Sequence, residues 1–443
     1  RWQAEPREDT VIEIAMSDEQ KAVLDRMENS LDHIFITGRA GTGKTTLLQA
    51  FVDTTSKRVA VCAPTGVAAL AAGGQTIHSL LRLPIGIIGK RELGFIPKES
   101  LAVLAALDTL VIDEISMVSA DVLDAIDRRL RQAKRKRHLP FGGIQLIMFG
   151  DPYQLSPVVS GQAEKAYYRD HYRSPWFFDA KIWLETEIEI EELDTIHRQA
   201  DSEFRAVLNA LREGRMEPDM GRMLNEHGMR APEDPDLITL STTNAAVSRI
   251  NQSALERLGG KGKIAHADIE GDFGSTSAYP ADEQLVLKPG ARVMFLRNDT
   301  AGPDGPRYVN GSLGVVEKIT DTVLVDVDGE GVLVEPVTWE KVKYDYSPAT
   351  KMLSQEVVAE FTQFPLRLAW AVTIHKAQGK TLDAAVIDLG ARAFAPGQTY
   401  VAFSRLTSLE GLYLKRPLTP SDIIVDQDVV RFMTQERGSN RLI

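Results

Sequence analysis

The sequence predicts an α/β protein built on parallel sheets, and three observations carry that expectation. Apolar runs of strand length alternate with helical patterns through roughly the first 190 residues. The runs are continuously apolar, as buried strands are. A glycine-rich turn follows one of the first of these runs and leads directly into a helix, the arrangement that places ligands at the carboxyl ends of parallel strands.

The first strand is His33-Ile34-Phe35-Ile36-Thr37, and Gly38-Arg39-Ala40-Gly41-Thr42-Gly43-Lys44-Thr45 follows it in the pattern G-x-x-x-x-G-K-[ST]. Glycines let backbone N–H groups converge on phosphate oxygens, and the helix from Lys44 to Val52 adds a favourable dipole. Lys44 is placed to reach the β- and γ-phosphates of a nucleoside triphosphate, and the Thr45 hydroxyl to bind Mg²⁺. Val59–Ala63 is the next strand, and Thr109-Leu110-Val111-Ile112 is another, closing on Asp113-Glu114. Asp113 suits a Mg²⁺ ligand acting through water, and Glu114 a group that orients the attacking water, which favours hydrolysis over phosphoryl transfer. No Asn-Lys-x-Asp segment reads guanine, so ATP is the expected nucleotide. Ile144–Phe149 completes the run of strands in this half, and the turn-rich stretch from Pro84 to Lys90 reads as a small protruding insertion.

A second α/β half is expected from runs at Leu237–Leu240, Leu366–Ala371 and Ala384–Leu389. Between about 263 and 362 the texture changes to short runs broken by Pro289-Gly290, Asn310-Gly311 and Asp328-Gly329, the hairpin signals of a small antiparallel barrel. Two halves sharing one phosphate loop fit a motor ATPase with nucleotide in the cleft between them. Arg198 and Arg405 are candidates to reach the γ-phosphate from the second half; each also reads as a surface ion pair.

Composition sets outer bounds. The chain is 443 residues with 43% hydrophobic side chains, enough for two to four domains. One cysteine excludes an internal disulfide and a cysteine-built zinc site; Cys62 reads as a small buried hydrophobe. No apolar run approaches the roughly 18 residues of a membrane span and no signal peptide is visible, so no membrane partner and a cytoplasmic, reducing compartment of a bacterial or phage-like protein are expected. The net charge is −11, yet Arg128–Arg137 carries seven basic residues and no acidic one. With Leu123, Ile126, Leu130 and Ala133 at helical spacing, that stretch reads as an amphipathic helix with a basic outer face, either solvated or in contact with phosphates.

These segments, in this order, resemble a superfamily 1 DNA helicase of the PIF (petite integration frequency) group, relatives of RecD. Ser17-Asp18-Glu19-Gln20 is similar to the segment whose glutamine reads adenine. Ala63–Ala69 and Thr76-Ile77-His78-Ser79 resemble single-strand contact motifs. Phe141-Gly142-Gly143 and Gly150–Val158 resemble the third motif, with Gln154 as γ-phosphate sensor. Arg198 falls in the fourth, Trp370–Leu382 matches the fifth, and Gln398–Arg405 the sixth, with Arg405 as arginine finger. Tyr153 and Ser156 stand where many members have Phe and Pro.

The resemblance implies two RecA-like motor domains, at 1–190 and at 191–262 with 363–443, a wedge insertion near 84–98, and an SH3-like β domain at 263–362. It implies ATP contacts from Gln20, Gly38, Gly41, Thr42, Gly43, Lys44, Thr45, Thr46, Gln378 and Gly379, with Mg²⁺ at Thr45 and Asp113. The catalytic set is Lys44, Asp113, Glu114, Gln154, Arg198 and Arg405. DNA contacts fall to Pro64, Thr65, Gly66, Thr76, His78, Asn244, Thr373, His375 and Lys376, although lone histidines are also structural groups and Asn244 is equally a turn former. The aromatic cluster Tyr167, Tyr168, Tyr172, Trp176, Phe177 and Phe178 reads as core packing before base stacking. The expected activity is ATP-dependent 5′–3′ translocation on single-stranded DNA and unwinding of tailed, forked or structured DNA, guanine quadruplexes among them, by a monomer serving replication, repair or recombination. Two alternatives stay open: a RecD-like motor subunit of a recombination nuclease, and a nucleotide-gated DNA remodeller that does not unwind processively.

Overall fold

The computed structural model describes residues 16–439 except 85, 90–92, 160, 196–200, 275, 277–278, 300–306, 348–351 and 379. Arg198 and Gly379 therefore lie outside the described residues, as does part of the 84–98 segment. Six strands form the first sheet: β1 (His33–Gly38), β2 (Val59–Ala63), β3 (Gln75–Thr76), β4 (Thr109–Ile112), β5 (Gln145–Phe149) and β6 (Ile188–Leu193). Their spatial order is β3-β2-β4-β5-β1-β6, every pair parallel. Strand alternation sends Ile34 and Ile36 to one face, against Leu47, Leu48 and Phe51 of the Lys44–Thr54 helix. Phe35 turns to the other face, where Leu110, Ile112, Leu146 and Met148 join it. Both faces are covered, which explains why these strands read as unbroken apolar runs.

β7 (Thr239–Ser241) begins a second sheet, and the chain then turns antiparallel. The intervening strands are β8 (Lys263–His266), β9 (Asp268–Gly271), β10 (Gln284–Leu287), β11 (Arg292–Phe295), β12 (Leu313–Ile319), β13 (Val323–Val327), β14 (Glu330–Val334), β15 (Val337–Ser347), β16 (Met352–Gln363) and β17 (Leu366–Leu368). They form a five-stranded sheet ordered β14-β13-β12-β11-β17, a β10-β8 pair and a β15-β16-β9 sheet. Val293, Phe295, Val316, Val323, Val325 and Leu366 fill the interior. The chain then completes the second parallel sheet with β18 (Ala371–Thr373), β19 (Ala385–Asp388) and β20 (Leu412–Leu414), in the order β18-β7-β19-β20.

Two features differ from the sequence reading. The run Leu366–Ala371, expected as one strand of the second half, is split. Leu366–Leu368 pairs antiparallel with β11, and Ala371 opens β18 beside β7. Ala369 N–H still bonds to Arg292 O while Trp370 O already accepts from Thr239 N–H, so the chain passes between sheets over two adjacent residues. The β15–β16 hairpin lies within the stretch expected to be antiparallel, but its two strands were not among the expected runs. Its strands interleave threonine and charged residues with apolar ones, so no apolar run marks them; backbone pairing and the 2.8 Å Thr338–Thr362 hydroxyl contact hold them.

The basic stretch is only partly the outer face that its pattern suggests. Its helix spans Ala120–Lys134, with Leu123, Ile126, Leu130 and Ala133 buried as expected. Arg129, however, is fully buried. Its guanidinium donates to the carbonyls of Leu81 (2.9 Å), Arg82 (3.0 Å) and Leu93 (2.7 Å). Arg128 donates to Gly89 O at 2.9 Å. Two of the seven cations thus bond to carbonyls at Leu81, Arg82, Gly89 and Leu93, near which Leu83, Ile88 and Ile96 are buried while Phe95 is 88% exposed. Arg135, Lys136 and Arg137 remain at the surface.

Trp176, Phe177 and Phe178 are core residues, as expected, and the C-terminal helix Gln427–Ser439 packs onto them. Phe432 stacks on Phe178 at 4.3 Å between ring centroids and also meets Phe35, Phe177 and Trp183. Trp176 Nε1 donates to Asp426 Oδ2 at 2.9 Å.

The Arg129 contacts generate a stability prediction. Arg129→Met leaves three carbonyls without their donor and is expected to cost about 2–4 kcal/mol in urea unfolding. Lys136→Met, at the surface, is expected to stay within about 0.5 kcal/mol. Equal effects would mean that the buried guanidinium does not hold the segment.

Candidate functional site in the cleft between the parallel sheets

The phosphate loop leaves β1, Asp113-Glu114 leaves β4, and Gly150–Gln154 leaves β5 between them. Because these strands are parallel neighbours, all three turns arrive at one edge. The loop is tightly wound: Gly38 has φ +152°, and a Cβ there would lie 2.7 Å from Leu193 O and 2.8 Å from Thr42 Oγ1. Lys44 starts the following helix and folds back, its Nζ donating to Gly38 O at 2.7 Å and Arg39 O at 3.1 Å. Desolvation pushes the Lys44 ammonium below its ordinary value, while the Asp151, Glu114 and Asp113 carboxylates oppose that shift. Thr45 and Thr46 follow on the first turn of the helix, beside Lys44.

Gln20 closes one side of the loop. Its Nε2 donates to Thr42 O at 3.3 Å, and its Oε1 accepts from Ser17 N in a reciprocal capping box that starts the Asp18–Asn29 helix. On the opposite side, Glu114 is held in the left-handed region at φ 52°, a conformation that costs a non-glycine residue energy. Its N–H donates to Asp113 Oδ1 at 2.9 Å. Burial and the Asp113 charge push the Glu114 carboxyl up to about 7, against the pull of Lys44 and Arg405.

The second half reaches this edge through two of the predicted residues. Gln378 Nε2 donates to Glu114 Oε2 at 3.1 Å and to Gln154 Oε1 at 3.2 Å. Arg405, 2% exposed, has its Nε on Val401 O and its Nη2 on Ser404 Oγ. Between them the Gln398–Phe403 helix abuts the third motif. Its N-cap, Gly397, has φ +76°, and a Cβ there would lie 2.3 Å from Gln154 O.

Sequence reasoning quoted the segments around Asp151 and Tyr400 but missed what they do. Asp151 is fully buried and accepts from Arg212 Nη2 at 3.0 Å and Tyr400 OH at 3.1 Å. The same tyrosine oxygen accepts from Ala40 N–H of the phosphate loop at 3.1 Å. Arg212 was not singled out, although a signal exists. On the Ser202–Glu213 helix, Phe204, Val207, Leu208 and Leu211 are buried, and Arg212 occupies the next position of that apolar stripe.

The residues expected to contact DNA leave strand ends in two neighbouring pairs. Pro64, Thr65 and Gly66 follow β2, and Thr76 and His78 lie at the end of adjacent β3, with Ala63 opposite Thr76. Asn244 follows β7, Thr373 ends adjacent β18 opposite Ser241, and His375 and Lys376 follow it. Thr65 and Thr76 hydroxyls cap helices by accepting from Ala68 N and Ser79 N, each at 3.2 Å. Thr373 is buried, and its Oγ1 accepts from Lys376 N; Asn244, His375 and Lys376 are exposed. His78 is half-buried, and desolvation lowers its pKa. Among the described residues no hydrogen bond joins the first-sheet set to the second-sheet set.

A phosphate loop, a strand-end carboxylate pair and a second parallel sheet closing on both define a two-lobed P-loop motor ATPase. A family model of PIF1-like helicases matches residues 15–221. The ATP-dependent DNA helicase Pif1 of Bdellovibrio bacteriovorus is 33% identical, over 97% of this chain and 94% of that protein. The human ATP-dependent DNA helicase PIF1 is 35% identical over 96% of the chain, which spans 64% of the human protein's length. Pif1 from Bacteroides sp in complex with ADP-AlF4 superposes with a TM-score of 0.88 at 35% identity, covering 97% of this chain and 98% of that one. Bacteroides Pif1 bound to ssDNA, also 35% identical, covers 98% of each chain with a TM-score of 0.69. The chain belongs to the PIF1-like helicase family and is an ATP-hydrolysing DNA helicase.

The close approach at Gly397 can be tested directly. Gly397→Ala forces the Gln398–Phe403 helix away from the third motif, and DNA-stimulated ATP turnover is expected to fall at least about tenfold, with about 1–3 kcal/mol of stability lost. Wild-type turnover in steady-state assays would show that this contact is not required.

Proposed function

We propose that this helicase translocates 5′ to 3′ on single-stranded DNA and unwinds tailed or forked duplexes, and that its ATP is hydrolysed where the two lobes meet. Gln378 is the observation that carries the reading: a second-lobe side chain bonds at once to Glu114 and to Gln154. The carboxylate that would orient the attacking water is therefore in contact with the lobe that must move.

In this reading the phosphate loop cradles the triphosphate, Lys44 exchanges its two carbonyl partners for phosphate oxygens, and Gln20 meets the adenine. Glu114 orients the water and takes its proton. Arg405, and Arg198 from the fourth motif, neutralise charge developing on the γ-phosphate. Thr45 Oγ and the Asp113 carboxylate are hard oxygen donors that fit Mg²⁺, an ion that draws most of its ligands from phosphate and water. When bound, the ion would neutralise phosphate charge.

The single strand runs along the carboxyl edges of both sheets, over Pro64–Gly66 and Thr76–His78 on one lobe and over Asn244 and Thr373–Lys376 on the other. Closure shifts one grip relative to the other, and release of products resets it. Phe95, exposed on the anchored 81–96 segment, faces the duplex as a wedge. Direction follows from which lobe holds DNA more tightly with ATP bound; the 5′–3′ assignment rests on family motif order. Among the described residues no helix is long and apolar enough to cross a membrane.

Two experiments test the reading. Glu114→Gln should keep Mg²⁺–ATP binding while turnover falls by about 10²–10⁴-fold, and Lys44→Ala should lose nucleotide-dependent activity. Glu114→Gln hydrolysing at the wild-type rate would remove Glu114 from the water. In strand displacement with ATP and Mg²⁺, a 5′-tailed duplex should open while blunt and 3′-tailed duplexes stay closed. Robust opening from a 3′ tail alone reverses the proposed direction.

A further inference from the structure

We infer that Tyr400 is a positioning residue for ATP hydrolysis, its hydroxyl registering the Arg405 helix against the phosphate loop through Ala40 N–H and the Asp151–Arg212 pair. The inference rests on the role proposed above for Arg405.

The cluster joins both lobes in a dry environment. Asp151 is 0% exposed, Arg212 1% and Tyr400 3%. Asp151 and Ala40 belong to turns leaving β5 and β1, whereas Arg212 and Tyr400 come from helices of the second half. Each oxygen of Asp151 is used: Oδ2 accepts from Tyr400 OH, and Oδ1 accepts from Arg212 Nη2 and from Tyr153 N at 3.2 Å. Arg212 also lies over the Tyr153 ring at 4.3 Å and near Glu192 at 3.6 Å. A buried carboxylate that loses its cation costs several kcal/mol, so withdrawal of the second half is opposed unless water enters. The polar contact thereby links lobe docking to the state of the cleft.

Tyr400 adds something the ion pair does not supply. Its oxygen is donor to Asp151 and acceptor from Ala40 at once, so one atom fixes the helix against two first-lobe turns. Burial and the Asp151 charge push the phenol pKa up, which keeps the donating proton in place. Arg405 follows five residues later, and its guanidinium is tied back to Val401 O and Ser404 Oγ of the same turn. A helix of six residues transmits a shift at position 400 to position 405 with little room to absorb it. Three residues beyond Asp151, Gln154 meets Gln378, so the third motif meets the second half at two points. A phenylalanine would fill the same space and register neither turn.

Tyr400→Phe is the test, measured below its melting temperature with saturating single-stranded DNA. A positioning role acts in the transition state. We expect kcat to fall about tenfold, the equivalent of roughly one net hydrogen bond, with KM for ATP changed less than about twofold. Affinity for ADP with aluminium fluoride should fall by the same factor while affinity for ADP alone is retained. Asp151→Asn is the second variant. It should lower kcat at least as much, and the double variant should lose less than the product of the two single losses, since the two share the Tyr400–Asp151 contact. Wild-type kcat in Tyr400→Phe, or equal weakening of ADP and ADP–aluminium fluoride, overturns the inference and leaves Tyr400 as packing. Arg405→Ala separates this from the underlying reading: if it abolishes turnover while Tyr400→Phe is silent, only the positioning role fails. If Arg405→Ala turns over normally, the arginine-finger reading fails instead.

Discussion

Parallel pairing sends the outgoing turns of neighbouring strands to one edge, and the site depends on that constraint before any side chain is considered. β4, β5 and β1 are consecutive in space, so a lysine loop, a carboxylate pair and a glutamine motif separated by up to about a hundred residues of sequence become neighbours. The same rule in the second sheet brings Asn244 beside Thr373–Lys376. What remains for individual residues is the final placement: a left-handed Glu114, a Gly397 with no space for a methyl group, and a lysine folded onto its own loop.

Much of this was legible from the sequence because parallel strands buried on both faces are unbroken apolar runs, and because the phosphate loop has a fixed spacing. The strands at Val59–Ala63 and Thr109–Ile112 appear where the runs place them. The features that escaped share a cause. Long-range polar partners leave no periodic trace, so Asp151 and Tyr400 were read only as parts of motifs and Arg212 was passed over. The β15–β16 hairpin escaped because its strands carry charge, and the sheet change at Ala369-Trp370 because an apolar run does not say which sheet it joins. Arg129 escaped for a related reason: the basic residues of the helical pattern read as an outer face, solvated or in contact with phosphates, whereas this guanidinium is buried among carbonyls. The DNA-facing residues were legible only as family motifs; in the structure Thr65 and Thr76 also serve as helix caps, so their hydroxyls carry a local duty of their own.

The lobes therefore meet through two kinds of contact. At the nucleotide cleft the contacts are polar and directional: Gln378 to Glu114 and Gln154, Tyr400 to Ala40 and Asp151, and Arg212 to Asp151. Away from it, at the C-terminal helix, the contact is mainly aromatic, with Phe432 among the first-lobe rings and one hydrogen bond from Trp176 to Asp426 beside them.

That second contact has a mechanical meaning. Extracting a ring from a packed aromatic site costs about 3–5 kcal/mol, whereas a neutral hydrogen bond exchanged for water costs about 1 kcal/mol. Strain between the lobes is therefore relieved first at neutral contacts such as Gln378 to Gln154, while the buried Asp151–Arg212 pair and the Phe432 site both resist separation. A movement of the lobes that left both of those sites packed would be a rotation about them rather than a separation.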